Sequence, residues 1–342
     1  MVDMKVVFAY LGKKLPKYAK TNIQNVSLKF PDKRFVLLVD HSQNFNFGSR
    51  NNVEVIRLPD PSESWVSGND ILQGHENFEN NFWYKTIARF KLIEDYMQMR
   101  DESILHIEAD IVLNQNFPFA KIESIEKEFA FSLINQHQGI ASILYLKNHH
   151  AAKELLKFAE ACLRENPKYT DMDILGKLFN LKRKQVFILP TIDSGSFLSM
   201  NASNHINRDM ADNFNFFNGV FDAATLGQYF FGLDRVHTHG FVKTQVYLPH
   251  HSVDPRGKKL LIEDKVVSVT VSDLKVEVFN FHIHSKINKL FLSKEKIIEY
   301  FIKEEKLSKL RYFSFLAFYN SKNYILKHQI RKVAKFLKLN SN

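Results

Sequence analysis

The chain has 342 residues, 45% of them hydrophobic, which is enough for one large α/β domain or for one domain with an appendage. Its single cysteine, Cys162, excludes an intramolecular disulfide and a cysteine-based zinc cluster, and it fits a reducing compartment. The amino-terminal segment lacks the pattern of a signal peptide, and no apolar run reaches the roughly 20 residues that span a bilayer. We therefore expect a cytoplasmic protein.

The formal net charge of +10 is concentrated near the carboxyl terminus. Residues 291–342 contain 12 Lys/Arg and 4 Asp/Glu, whereas residues 1–290 contain 35 Lys/Arg and 33 Asp/Glu. A nucleic-acid-binding protein is expected to cluster its basic residues on a folded face. This distribution predicts a folded domain over 1–290, a basic helical tail over 291–342, and no nucleic-acid partner.

Three segments near the amino terminus predict β-strands, because they are apolar and rich in β-branched or aromatic residues. They are Lys5–Tyr10, Arg34–Asp40 and Val53–Leu58. A helix predicted over Tyr18–Lys29 separates the first two strands, which is how a parallel sheet with helices on both faces begins. Sheets of this kind bind ligands at the carboxyl ends of their strands.

Helical and strand patterns continue along the chain and predict an α/β fold. Helices are predicted over Phe82–Met99, Asn148–Arg164 and Thr170–Phe179. Further strands are predicted over Ser103–Ile107, Phe129–Leu133, Ser142–Leu146 and Val186–Leu189, with β-structure over Leu261–Phe281.

Two carboxylates, Glu108 and Asp110, follow the apolar strand predicted over Ser103–Ile107 and precede the apolar run Ile111–Leu113. Carboxylates in such a position are costly to bury unless their charge is compensated. A divalent cation bound through oxygens provides that compensation, so we predict that this pair binds a metal ion. The alternatives are a helix N-cap or a surface salt bridge.

The segment HIHSK contains two further candidate ligands, His282 and His284, followed by Lys286. Residues two apart in a strand point to the same face, so both imidazoles could face one site. A neutral histidine nitrogen is an ordinary ligand for a manganese-type ion, and a lysine beside it can neutralise a diphosphate. The pattern does not decide which histidine is the ligand, and a pair of partly buried core histidines is the alternative.

The helix predicted over Phe82–Met99 presents Lys85 and Arg89 four residues apart on one face. These two cations could pair with phosphates or with acids at the edge of the sheet. A solvated helix face is the alternative.

Other polar residues fit a sugar-binding pocket. Asp222 and Gln228 lie in a segment rich in aromatic residues and glycine, where rings stack on sugars and amides or carboxylates bind hydroxyl groups. The alternative is an aromatic core helix with a capped end. Asp171 and Asp173 open a predicted helix and could simply favour its dipole.

In their order, these elements resemble the GT-A-fold, metal-dependent, nucleotide-sugar glycosyltransferases that make bacterial surface glycans such as lipopolysaccharide and capsule. HIEADIVL is similar to the D-x-D motif of that family, with Glu108 in place of the first Asp. TDMDIL is similar to the DQD-type helix start, and HIHSK resembles the late metal-binding histidine and phosphate-binding lysine. The resemblance extends from Lys5 to Lys286 and implies a Rossmann-like, mixed and mostly parallel sheet flanked by helices.

The resemblance implies sugar transfer from a nucleotide sugar, with a UDP-sugar favoured, to a glycan acceptor, with Mn²⁺ or Mg²⁺ as the metal. The residues predicted to bind the nucleotide sugar are Phe8, Ala9, Tyr10, Asp40, Lys85, Arg89 and Lys286. The donor and acceptor sugars would contact Asp173, Asp222 and Gln228. An inverting enzyme needs a base on the acceptor hydroxyl, for which Asp222 is the candidate, whereas a retaining enzyme needs none.

The tail has the composition of an interfacial membrane helix, because its basic residues alternate with aromatic and aliphatic ones. Residues 311–342 contain seven Lys/Arg and no Asp/Glu. Each basic residue near an anionic membrane is worth about 1 kcal/mol. We expect peripheral binding to the inner face of the cell membrane, where a lipid-linked acceptor would lie, and a helix packed on the fold or a dimer contact is the alternative.

Two other functions fit part of the pattern. A nucleotidyltransferase acting on sugar phosphates needs a glycine- and lysine-rich first loop, of which residues 12–14 are only a faint version. A non-enzymatic protein that binds membranes or polyanions would explain the tail but not Glu108, Asp110 and HIHSK together.

Overall fold

The structure of the chain is a computed structural model that describes residues 4–12, 14–40, 52–61, 82–191, 204–233, 251, 253–263, 266–271 and 274–291. Its strands are β1 (Lys5–Tyr10), β2 (Phe35–Asp40), β3 (Val53–Leu58), β4 (Ile104–Ile107), β5 (Ile111–Leu113), β6 (Phe129–Asn135), β7 (Gln138–Leu146), β8 (Val186–Leu189), β9 (Lys259–Glu263), β10 (Val266–Val271), β11 (Leu274–Glu277) and β12 (Asn280–His282). Its α-helices are α1 (Lys17–Lys29), α2 (Phe82–Arg100), α3 (Phe119–Glu123), α4 (His149–Glu165), α5 (Asp171–Lys182), α6 (Asn204–Phe217) and α7 (Thr225–Phe231).

The central sheet has seven strands in the order β3-β2-β1-β4-β7-β6-β8. Strand β1 pairs in parallel with β2 and β4, and β2 pairs in parallel with β3. Strand β7 runs antiparallel to β4 and β6, and β8 runs parallel to β6. The expectation of a mixed, mostly parallel α/β sheet is confirmed.

Helices cover both faces of this sheet, which is why β2 is buried along its whole length. Successive residues of β1 enter opposite cores, as the alternation of side chains in a strand requires. Val7 joins the core that contains Ile93 of α2 and Leu155 of α4, whereas Val6 joins the core that contains Ile23 of α1.

Two helices begin at residues whose side chains satisfy backbone N–H groups that have no partner in the first turn. The Asn148 side chain accepts a hydrogen bond from the Ala151 N–H at 3.0 Å, and α4 follows directly. At α5 the Thr170 hydroxyl accepts from the Asp173 N–H, and the Asp173 carboxylate accepts from the Thr170 N–H. Thr170 is therefore the N-cap of α5.

After β4 the chain leaves the central sheet, and β5 pairs antiparallel with β12 in a separate two-stranded sheet. This pairing sets His282 opposite Ile111. The Ile283 N–H also donates to the Asp110 carbonyl at 2.9 Å. Two segments far apart in the sequence are thereby joined at the carboxyl end of β4.

The β-structure predicted over Leu261–Phe281 is present as the antiparallel sheet β11-β10-β9 and as β12. None of the helices within the described ranges is long and apolar enough to cross a membrane. The tail lies outside the described residues except for Phe291. The division of the chain at residue 290 therefore stays a prediction.

Candidate functional site

Glu108, Asp110 and His282 bring three possible ligand atoms within 4.8 Å of one another at the carboxyl end of β4. The His282 Nε2 atom lies 3.4 Å from Asp110 Oδ1 and 3.5 Å from Glu108 Oε2. The side chains of Glu108 and Asp110 are 19% and 13% exposed, so the cluster is shielded but still reachable from solvent. Two carboxylates and one imidazole are donors that suit Mn²⁺ and similar divalent ions.

A backbone carbonyl orients the His282 ring. Its Nδ1 atom lies 3.0 Å from the Ala223 carbonyl oxygen, which can only accept a hydrogen bond. The Nδ1 atom therefore carries a proton, and Nε2 points at the two carboxylates with its lone pair whenever the ring is neutral. Histidines that bind a metal through one ring nitrogen commonly donate the N–H of the other nitrogen to a carbonyl or carboxylate oxygen in this way.

The pKa values of His282 and Asp110 both indicate that the cluster stabilises a positive charge beside its carboxylates. Burial lowers the pKa of His282, but the carboxylates of Asp110 and Glu108 outweigh burial and raise it to about 9. Burial acts to raise the pKa of Asp110, but the positive charges of His282, Lys286 and His284 outweigh burial and hold this pKa well below its usual range. In the absence of a metal ion, a proton on His282 supplies this positive charge.

The Arg89 side chain of α2 joins two acids. Its Nη1 atom contacts Glu108 Oε1, and its Nη2 atom contacts Asp171 Oδ2 at the start of α5. Arg89 and Asp171 are both buried. Because Glu108 Oε1 is bound to Arg89, Oε2 is the oxygen that faces His282. The acid-binding alternative for Arg89 is what the structure shows, and a phosphate contact stays a prediction.

Asp222 holds α7 and β12 together. Its buried carboxylate accepts hydrogen bonds from the backbone N–H groups of Leu226, Gly227 and His282 at 2.9, 2.7 and 3.0 Å. The helix and the strand approach so closely that a Cβ at Gly227 would lie 2.0 Å from the His282 carbonyl oxygen. Burial raises the pKa of Asp222, and the three hydrogen bonds act against that rise. A role as the base on an acceptor stays a prediction.

His284 lies close to both Gln228 and the ring of His282. The Gln228 Nε2 atom is 3.3 Å from the His284 Nε2 atom. The centroids of the His282 and His284 imidazole rings are 4.0 Å apart. The Gln228 Oε1 atom is buried and has no hydrogen-bond partner among the described residues. It is an acceptor that a bound hydroxyl group could satisfy. Its predicted contact with a sugar is untested.

Asp173 makes its hydrogen bonds at the start of α5, and its predicted contact with a sugar is untested. Its Oδ2 atom accepts from the Thr170 hydroxyl at 2.7 Å, and its Oδ1 atom accepts from the Gln138 side chain at 2.9 Å. The neighbouring Asp171 is the acid of this helix that reaches Arg89. The sequence pattern predicts only a helix-dipole partner in Asp171, because the direction of its side chain depends on where α5 packs.

The residues predicted to bind the nucleoside lie at the carboxyl ends of the neighbouring strands β1 and β2. The Phe8 ring is buried in the core, whereas Ala9 and Tyr10 are half-buried. Asp40 Oδ2 accepts from the Gly12 N–H at 3.2 Å. Burial and the charge of Asp40 both raise the pKa of the Tyr10 phenol. These contacts show a polar edge, and nucleoside binding stays a prediction.

Lys286 is the cation nearest to Asp110 after His282, with its Nζ atom 3.7 Å from Asp110 Oδ2. Its backbone has φ of 53°, a left-handed conformation that costs a non-glycine residue energy. The Nζ atom also lies 5.9 Å from the centre of the Phe82 ring. Lys85 is half-buried one turn before Arg89 on α2. Phosphate binding by either lysine is untested.

No protein-family model and no curated protein matches the sequence. Among solved structures, galactosyltransferase LgtC in complex with donor and acceptor sugar analogues is similar at 15% identity with a TM-score of 0.43, covering 61% of this chain and 83% of that chain. Mouse xyloside xylosyltransferase 1 is similar at 10% identity with a TM-score of 0.37, covering 61% and 94%. The bifunctional glycosyltransferase WbbM has 13% identity and a TM-score of 0.37, covering 62% and 44%. Similarity at this level assigns neither a family nor an activity.

Proposed function

We propose that the chain is a metal-dependent glycosyltransferase that takes a sugar from a nucleotide-diphosphate sugar, with a UDP-sugar favoured. The observation that carries the proposal is the cluster of Glu108, Asp110, His282 and Lys286, which two distant segments build at one edge of the sheet. Ligand binding at the carboxyl ends of parallel strands is the rule for open α/β sheets. The D-x-D-like and HIHSK patterns of the sequence agree with this location.

The residues present fit a bound Mn²⁺ or Mg²⁺. Glu108 offers Oε2, because Arg89 binds Oε1, and His282 offers Nε2, because Ala223 binds Nδ1. Asp110 directs Oδ1 toward His282 Nε2 and Oδ2 toward Lys286 Nζ. The imidazole ligand favours Mn²⁺ over Mg²⁺, which prefers oxygen ligands and water.

The chemistry follows from the charge that develops on the leaving group. When the glycosidic bond to the diphosphate breaks, negative charge accumulates on the phosphate oxygens. A bound divalent ion would supply Lewis-acid stabilisation of that charge. Lys286 can move its ammonium from Asp110 to a phosphate oxygen, and this contact strengthens as the charge grows. Gln228 would orient a hydroxyl group of a sugar by turning its amide toward the ligand, because its Oε1 atom is buried and has no hydrogen-bond partner among the described residues.

We infer a glycan acceptor, with lipopolysaccharide or capsular polysaccharide synthesis as the setting and the inner face of the cell membrane as the place. The support is the basic, aromatic composition of residues 311–342, which suits contact with an anionic surface. A lipid-linked acceptor would be presented at the same surface. Whether the sugar is transferred with inversion or retention depends on the presence of an acceptor base, for which Asp222 is the candidate.

A thermal-shift screen of the full chain tests this function. UDP-, GDP-, CMP- and dTDP-sugars are each added with and without Mn²⁺, and we expect the UDP-sugars to raise the unfolding temperature only when Mn²⁺ is present. Asp110→Asn should abolish that shift, whereas the exposed control Asp212→Asn should retain it. No metal-dependent shift with any nucleotide sugar would remove the proposal. Nucleoside triphosphates are added in parallel, and a shift with these instead would indicate a nucleotidyltransferase.

A further inference from the structure

The turn that carries Asp110 is held by a side chain from another element. Asn22 of α1 is buried, and its Nδ2 group donates to the carbonyl oxygens of Ala109 at 3.1 Å and of Ile111 at 2.6 Å. An asparagine amide has two N–H donors, so both are used on the residues that flank Asp110.

These bonds complete the hydrogen bonding of the turn. The Asp110 carbonyl accepts from the Ile283 N–H at 2.9 Å, so three consecutive carbonyl groups, from Ala109 to Ile111, each have a donor. Fixing the three carbonyls fixes the peptide planes on either side of Asp110. The direction of the Cα–Cβ bond of Asp110 is thereby set, and only rotation about the χ1 and χ2 angles is left to place the carboxylate.

The same face of α1 also holds the segment that follows the histidines. The Thr21 hydroxyl lies 3.2 Å from Asn288 Oδ1, and the Tyr18 ring lies 5.4 Å from the Phe291 ring. The Asn25 side chain donates to the Phe291 carbonyl. Positions 18, 21, 22 and 25 share one face of a helix, so α1 is a common support for both halves of the cluster.

We propose that Asn22 is a positioning residue that sets the Asp110 carboxylate against His282 and so determines the affinity of the metal site. The inference rests on the proposed function, because it requires that the cluster binds a divalent ion. Asn22 contacts the turn and not the ligand atoms. Residues that orient metal ligands typically change metal affinity by 10–100-fold when they are mutated.

The test measures Mn²⁺ binding to the full chain by electron paramagnetic resonance of the free ion, and stability by urea unfolding. Asn22→Leu keeps the approximate size and removes both donors, and we expect Mn²⁺ affinity to fall by about tenfold. Asn52→Leu is the matched control, because Asn52 also donates to several backbone carbonyls, those of Phe30, Pro31 and Lys33, at the amino-terminal edge of the sheet. It should lower the urea midpoint without changing Mn²⁺ affinity.

The outcomes separate the inference from the function beneath it. Unchanged Mn²⁺ affinity in Asn22→Leu, with a lowered urea midpoint, would show a purely structural role and overturn the inference. If Asn22→Leu does not fold, Asn22→Ser, which has one donor on a shorter arm, should bind Mn²⁺ more weakly than wild type, and equal affinity would overturn the inference. A wild-type chain that binds no Mn²⁺, or an Asp110→Asn variant that binds it equally well, would instead remove the metal site itself.

Discussion

His106 is a buried titratable residue in the middle of β4, and it is uncharged in the fold. Its Nδ1 atom lies 3.1 Å from the Val7 carbonyl oxygen, and its Nε2 atom has no hydrogen-bond partner among the described residues. Burial and the charge of Arg89 lower the pKa of His106 well below 6.5, although the bond to Val7 acts against this. Sequence patterning shows a histidine inside an apolar strand but not the arginine whose charge acts on it.

We predict that His106 makes the fold sensitive to acid. The unfolded chain binds a proton at His106 below pH 6.5, the folded chain does not, and stability is therefore lost as the pH falls through 6.5. The free energy of unfolding should fall by up to about 1.4 kcal/mol per pH unit from this group alone. His106→Leu should remove that contribution from the pH dependence measured by urea unfolding.

The control for this prediction is His150→Gln, because His150 is exposed at the start of α4. The free energy of unfolding of the His150→Gln variant should change with pH as that of the wild-type chain does. The same comparison cancels contributions from the other titratable groups, including those of the metal cluster. If His106→Leu and wild type lose stability in parallel between pH 7 and 5, the acid sensitivity arises elsewhere.

At the scale of elements, α5 begins with two acids that have different partners. Asp173 binds Thr170 and Gln138 at the start of the helix, whereas Asp171 is buried against Arg89. The pattern TDMD predicts the helix start for both acids equally. Which acid faces Arg89 depends on how α5 is rotated on the sheet, and a local pattern does not specify that rotation.

We predict that substitutions at the two acids differ in cost. Asp173→Ala removes half of the reciprocal cap and should lower the free energy of unfolding by about 1 kcal/mol. Asp171→Ala leaves the buried Arg89 guanidinium with one acid instead of two and should cost about 3 kcal/mol or more. Urea unfolding of both variants measures the difference.

Asp209→Ala provides the reference for an ordinary ion pair. The Asp209 Oδ2 atom lies 2.8 Å from Arg183 Nη2, and both side chains are about one-third exposed. Losing this ion pair should therefore lower the free energy of unfolding by less than about 1 kcal/mol. The interpretation of Arg89 is wrong if Asp171→Ala costs no more than this reference. A larger cost for Asp173→Ala than for Asp171→Ala would have the same consequence.

Most elements were predictable because their hydrophobic periodicity is strong, but β7 shows where periodicity fails. It begins at Gln138 rather than at the predicted Ser142. Its first residues are a polar side chain and a glycine, which carry no strand pattern. Gly139 is needed there because a Cβ would lie 2.7 Å from the Phe131 ring on the paired strand. That requirement exists only after β6 and β7 have paired.

At the scale of the whole molecule, the acids and the histidines could each be predicted, but their meeting could not. It depends on the pairing of β5 with β12, which sets Ile111 opposite His282 across half of the length of the chain. The choice between the histidines was also hidden, because the strand ends at His282 and the two-residue period does not continue to His284. Long-range pairing of this kind leaves no local signal in the sequence.

The tail bears on where the whole molecule works, and we predict that it attaches the chain to anionic membranes. The full-length protein should float with vesicles of phosphatidylcholine and phosphatidylserine and stay in solution with phosphatidylcholine alone. Neutralising Arg331, Lys332, Lys335 and Lys338 with glutamine should weaken binding, since each basic residue contributes about 1 kcal/mol. Raising the salt concentration should weaken binding of the wild-type chain in the same direction.

A matched control separates the tail from general positive charge. Glutamine at Lys20, Lys153, Lys157 and Lys168 removes the same number of charges from exposed positions of the folded domain. If the tail is the membrane-binding element, this variant floats as the wild-type chain does, while the tail variant does not. Equal loss in both variants would indicate diffuse attraction of a basic protein, and a wild-type chain that never floats would contradict membrane attachment by the tail.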